Sequence, residues 1–217
     1  MDIDLLLRIT GYMLEGLIVS FKIFGLSIIF VIPLGIILAI GKSSKIKIVS
    51  LLVNGYITLI RGVPMILVII FVYFAPYYIF SGTLSRFTAV VVAMVLFFGA
   101  YMAEIFRSGM ISVPKGQHEV AFKLGYNRFQ SFILIILPQV IKNILPSMSN
   151  EVINLFKGTS LAPYIGVTEM FSIAQKYTNL YLSILPLCVA GLIYLILCTI
   201  ISYIFKFFEK KLSYYHV

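Results

Sequence analysis

The chain has no tryptophan, two cysteines and eight acidic residues among 217. Charged residues make up 12% of it, against about 25% in an average soluble protein. That is too little polar surface to clothe a soluble fold of this length. Cys188 and Cys198 fall in one apolar segment with no ligand spacing and no histidine nearby, which excludes a disulfide framework and a cysteine-based metal site. The fifteen glycines follow no repeat, and with 61% hydrophobic residues the chain is neither collagenous nor disordered. The composition places the polypeptide in a lipid bilayer.

The formal charge of +9 is then a topology signal. Lysine and arginine occur in short runs between apolar stretches, not on one basic module with interleaved aromatics, so no nucleic-acid partner is expected. A helix crosses the hydrocarbon core in about 20 residues. The apolar runs give spans at about 14–40, 61–80, 87–106, 129–156 and 182–205. The second run starts near Ile48 and is interrupted by Arg61-Gly62-Val63-Pro64, so an interfacial or elbow helix is expected up to Ile60, followed by a membrane helix to Phe80. Pro138 and Pro146 are expected to bend the fourth span.

With five spans, Lys42, Lys45 and Lys47, then Arg107, Lys115, Lys123 and Arg128, then Lys206, Lys210 and Lys211 share one side. Arg8, Arg86, Lys157 and Lys176 are spread over the other. The positive-inside rule puts the N-terminus outside and the C-terminus in the cytoplasm. The first residues lack a basic run and a small-residue cleavage site, so they read as retained and not as a signal peptide. The expected fold is an all-α membrane protein of five transmembrane helices, a single domain over 1–217, with one short cytoplasmic helix at about 114–125. For that helix, Pro114 suits the first turn and Gly125 a left-handed stop. From pattern alone it is either an interfacial helix on headgroups or a docking knob for a soluble partner.

Polar residues gather on the fourth span. Asn143, Ser147, Asn150, Asn154 and Gly158 follow spacings of four, three, four and four, with Glu151 beside them. An ionised side chain at a membrane helix centre costs about 2.5–3.5 kcal/mol on insertion scales for Asp, Lys or Arg, so Glu151 requires a reason. Interhelical hydrogen bonding is one; a water-lined pathway is the other. Glu104 and Arg107, three apart, are expected to pair with each other or with a neighbouring helix, and Arg61 to neutralise Glu104 or hold headgroups.

Glu119-Val120-Ala121, Gly125 and Ile136-Leu137-Pro138 together resemble the EAA loop of permease subunits of bacterial ATP-binding-cassette importers. Arg61-Gly62-Val63-Pro64, the stretch Ala100 to Gly109, Pro114 to Gln117, Leu137-Pro138-Gln139, Asn150-Glu151 and Lys157 to Ser160 narrow this to the polar amino-acid branch. Leu14-Glu15-Gly16 with Ser20 extends the likeness to the first span.

The resemblance implies a multi-pass subunit of the bacterial cytoplasmic membrane that imports an amino acid by alternating access. It is no enzyme and has no catalytic residue, metal or cofactor of its own. Its partners would be a second permease subunit, identical or paralogous, two ATP-binding-cassette ATPases holding ATP and Mg, and an extracytoplasmic binding protein. No Gly-x-x-x-x-Gly-Lys loop occurs in the chain, so the ATPase is another polypeptide.

By resemblance, Glu119, Ala121 and Gly125 mark the helix that couples to the ATPase. Glu151, Asn150, Asn154, Gly158, Thr159, Ser160, Phe97 and Gly99 mark the substrate site. There Glu151 would meet a substrate ammonium, and Thr159, Ser160 and backbone donors its carboxylate. The stretch from Lys157 to Gln175 reads as an outer gate, broken at Pro163 and Gly166. Three positions depart from the family pattern. Val120 replaces the usual alanine, Gly158 stands where an acid is common, and Phe97-Phe98-Gly99 replaces small polar residues. The last two leave open an osmolyte or opine substrate. A secondary transporter using Glu151 as an ion site is the rival from another class, although no inverted repeat is evident.

Overall fold

The computed structural model describes residues 2–212; Met1 and 213–217, the ends of the expected 1–217 domain, lie outside the described residues. Nine α-helices make up most of the described chain: α1 (Ile3–Lys42), α2 (Lys47–Gly62), α3 (Met65–Phe80), α4 (Arg86–Ser112), α5 (Lys115–Lys123), α6 (Arg128–Ser131), α7 (Leu137–Gly158), α8 (Met170–Tyr181) and α9 (Leu185–Leu212). A π turn (Phe132–Ile136) joins α6 to α7, and a 3-10 turn (Thr159–Ile165) follows α7. The described chain is thus all-helical. Four stretches are long and apolar enough to cross a membrane, and the bent pair α2–α3 makes a fifth if it counts as one broken span.

The bend between α2 and α3 is 113°. It falls at Val63-Pro64, both in extended conformation, because proline disfavours the helical region for its predecessor and supplies no amide donor. The elbow read from Arg61-Gly62-Val63-Pro64 is therefore present.

The main packing axis is α1 against α4. Gly16, Ser20, Ile23, Ser27, Val31, Gly35 and Ala39, at intervals of three or four, are the buried face of α1. The facing helix offers Ala89, Ala93, Ala100 and Ala103. In lipid, apolar burial does not drive helix association; close van der Waals approach does, and small residues allow it. A Cβ at Gly35 would lie 2.7 Å from Met102 Cβ, so the two backbones meet there only because position 35 has no side chain. A second buried cluster joins α1, α8 and α9 around Phe156, whose ring contacts Phe21, Phe24 and Tyr194 at centroid distances of 5.5, 5.5 and 5.6 Å.

The fourth expected span contains a feature that proline content alone does not reveal. Pro138 has no amide hydrogen for the carbonyl four residues back, and the helix widens into the π turn just before it. Gln139 Nε2 donates to the Ile135 carbonyl at 2.8 Å, replacing a backbone donor with a side chain. Pro146 lies within α7 without ending it.

Candidate functional site

Along α7, Ser147, Asn150 and Asn154 are exposed, while Asn143, Glu151 and Gly158 are half-buried. Interhelical bonding does account for Asn143, whose Nδ2 donates to Ser112 Oγ on α4 at 2.8 Å. Glu151 has a different environment. It is half-buried between the exposed Asn150 and Asn154, and the cation whose field reaches it is Arg61.

Arg61 stands on the last turn of α2, at the lip of the 113° bend. Its guanidinium carbon lies over the Tyr101 ring, 5.2 Å from the centroid, and Tyr101 lies 5.1 Å from Phe97, ring to ring. One turn along α4 from Tyr101, Glu104 is ringed by cations. Lys42 Nζ bonds Oε1, and Arg107 Nε and Nη2 both bond Oε2, at 3.0 and 2.8 Å. Arg61 Nη1 is 4.0 Å from Oε1. The expected Glu104–Arg107 pair is present, enlarged by Lys42 from the end of α1.

The other expected site residues separate. Gly158 backs onto thioethers: a Cβ there would lie 3.2 Å from Met65 Cε and 3.3 Å from Met94 Cε. Gly99 packs against α1, where a Cβ would meet Leu34 Cδ2 at 2.7 Å. Thr159 is buried and its hydroxyl donates to Phe156 O; the Ser160 hydroxyl donates to Lys157 O, each at 2.8 Å. Both protons are spent on the local backbone. Ser160 lines a recess of about 340 Å³ with Lys157, Phe171 and Tyr194. Phe97 therefore stands beside Tyr101 and Arg61, whose field reaches Glu151; Gly99, Gly158, Thr159 and Ser160 are engaged in other contacts, and Asn150 and Asn154 are exposed.

Glu169 escaped the sequence reading. It is fully buried, and its carboxylate accepts from Phe171 N (2.9 Å), Ser172 N (2.8 Å), Ser20 Oγ (3.1 Å) and Tyr194 OH (3.4 Å). It caps α8 and ties α1 to α9. The sequence signal was a reciprocal capping pair, Glu169 with Ser172, in an unusual order with the acid at the cap.

The α5 helix presents a second surface. Val120, Phe122 and Leu124 are 55%, 49% and 69% exposed, and Glu119 is exposed beside them. Ala121 is fully buried against its own chain, so its small size seats α5 on the α6–π-turn segment. Gly125 has φ +86. Tyr126 N donates to Ala121 O and Gly125 N to Phe122 O, the paired bonds of a left-handed helix stop.

The family model for binding-protein-dependent transport system inner membrane components matches residues 31–214. The chain belongs to that family. This permease is a multi-pass inner-membrane protein and not an enzyme. It is 36% identical over 202 residues to a putative glutamine transport system permease of Rickettsia felis, covering 93% of each chain. It is 36% identical over 203 residues to the arginine transport system permease ArtQ of Bacillus subtilis, again covering 93% of each. A crystal structure of an amino acid ABC transporter with histidines superposes with a TM-score of 0.87 at 30% identity, covering 97% of the permease and 99% of that chain.

Proposed function

We propose that the permease is the transmembrane subunit of an ATP-driven importer that carries an amino acid across the inner membrane by alternating access. The observation that carries this reading is Glu151: a half-buried carboxylate on a membrane-crossing helix, with the exposed amides of Asn150 and Asn154 on either side. A substrate ammonium is the natural complement of such a group, because a charge at that depth must be paired. The relatives named for glutamine and arginine support an amino acid as the cargo.

The remaining machinery follows from surfaces of one chain. The polar side of α7 is open, and a second permease subunit, identical or paralogous, closes it into a pathway. The N-terminus is outside and the C-terminus cytoplasmic, which places α5 at the cytoplasmic face. Two ATPase subunits, which bind ATP and Mg, dock on α5 through its exposed Val120, Phe122 and Leu124 with Glu119 alongside. A binding protein delivers substrate from outside.

The test is reconstitution of the permease with its ATPase and binding protein in liposomes. ATP-dependent uptake of an L-amino acid is expected. Uptake that proceeds without ATP and without the ATPase, or that admits glycine betaine but no amino acid, overturns the proposal.

A further inference from the structure

An α-amino acid carries two charges, and Glu151 answers one of them. The other requires a donor, which Thr159 and Ser160 do not supply, since both hydroxyl protons are bonded to backbone carbonyls. The cation whose field reaches Glu151 is Arg61. Glu104 has no need of it: one carboxylate oxygen is taken by Lys42 and the other by both donors of the Arg107 fork. At 4.0 Å, the Arg61 contact to Glu104 lies beyond charge-assisted hydrogen-bond length, about 2.7–2.9 Å. Among the described residues, Lys42, Arg61 and Arg107 all surround this one acid.

The Arg61 guanidinium is nevertheless fixed in place. It is held over the Tyr101 ring at 5.2 Å, an arrangement that orients the flat fork while leaving its edge N–H groups free. The Arg61 side chain is 45% exposed. Arg61 and Glu151 form no ion pair, yet each lies within the other's field. Two opposite charges, one on a stacked fork and the other on a half-buried carboxylate that the first one's field reaches, are the complements of the two ends of a zwitterion.

We propose that Arg61 recognises the α-carboxylate of the substrate, through two parallel hydrogen bonds, while Glu151 takes its α-ammonium. The inference rests on the importer reading above. It makes Arg61 a specificity residue: α-amino acids are accepted through this pair, and compounds lacking the carboxylate are not. The substrate side chain then lies toward the Phe97–Tyr101 wall.

The twenty L-amino acids and L-cystine are first screened for ATP-dependent uptake by the reconstituted wild-type complex. The best-imported one is then titrated calorimetrically, beside its α-carboxamide, into the detergent-purified complex of permease and ATPase without binding protein. Wild type is expected to favour the acid over the amide by about ten-fold or more, as a charge-assisted fork warrants. Arg61→Gln should lower acid affinity to that of the amide, bringing the ratio near one. Arg61→Lys, which keeps the charge but not the fork, should lose several-fold in acid affinity with amide affinity unchanged.

A wild-type ratio in Arg61→Gln, or unchanged acid affinity in Arg61→Lys, overturns the proposal; the second variant decides if the first does not assemble. Glu104→Gln serves as the control for a purely structural Arg61 and should leave the acid-to-amide ratio intact. A ratio near one in that variant also overturns the proposal. If wild type imports no amino acid, the importer reading fails and this inference falls with it; uptake with an Arg61-independent ratio removes this inference alone.

Discussion

Glu151 and Gly158 lie two turns apart on α7, and each can be tested by changing the negative charge at its position. Glu151→Gln keeps the shape but removes the charge. Uptake by the reconstituted complex should fall by about ten-fold or more, as for a desolvated charge pair, while the isolated binding protein keeps its substrate affinity. Unchanged uptake kinetics across substrate concentrations would remove Glu151 from the site. Gly158→Asp tests the departure from the family pattern. Its Cβ would meet only the flexible ends of Met65 and Met94, at 3.2–3.3 Å, so the side chain can be accommodated. Adding this second acid should raise L-arginine uptake relative to L-glutamine, measured in competition, and an unaltered ratio would place position 158 outside the site.

At the scale of elements, α5 and the Glu169 cap make contrasting predictions. Charge on the knob, as in Leu124→Glu, should release the ATPase: the permease still inserts, but less ATPase co-purifies and substrate no longer stimulates hydrolysis. Gly125→Arg should do likewise through the backbone, since a side chain at φ +86 costs about 1–2 kcal/mol and misdirects the helix stop. Normal substrate-stimulated ATPase in both variants would dismiss α5 as the docking element. Glu169→Ala should instead lower thermal stability, by about 1 kcal/mol for the cap alone and more for the lost Ser20 and Tyr194 bonds, read as a falling Tm. An unchanged Tm would show that the cap is dispensable.

The elements differ in how far they could be read from sequence. The elbow at Val63-Pro64 and the short helix ending at Gly125 were legible, because proline and glycine act through their own backbone constraints. The polar stripe of α7 was legible from helical period. What escaped depends on partners distant in sequence: Arg61 and Tyr101 lie forty residues apart, and Ser20 is 149 from Glu169. The bonds of the Thr159 and Ser160 hydroxyls have a local reason. In a helix, each can turn back to a carbonyl one turn earlier, and both do.

For the whole molecule, the proposed assembly sets the polar side of α7 along an aqueous route and the outer face of α9 against lipid. In a background with Cys188 and Cys198 replaced by alanine, Asn150→Cys and Asn154→Cys should react quickly with a charged thiol reagent. Leu195→Cys and Ile196→Cys, 62% and 58% exposed in the single chain, should react slowly because acyl chains cover them. Equal rates at all four positions would contradict this division.

The π turn at Phe132–Ile136 has a consequence for how this chain tolerates insertion and deletion. Adding a residue to an α-helix normally rotates everything beyond it by about 100°. A wide turn absorbs that residue as a local bulge and leaves the two flanks in phase. Residues 132–136 are therefore where the chain ahead of α7 can change length without rotating Glu151 off its face. Removing one of them, together with Pro138→Ala to restore the amide donor, should preserve uptake, whereas deleting one residue between Asn143 and Asn150 should abolish it.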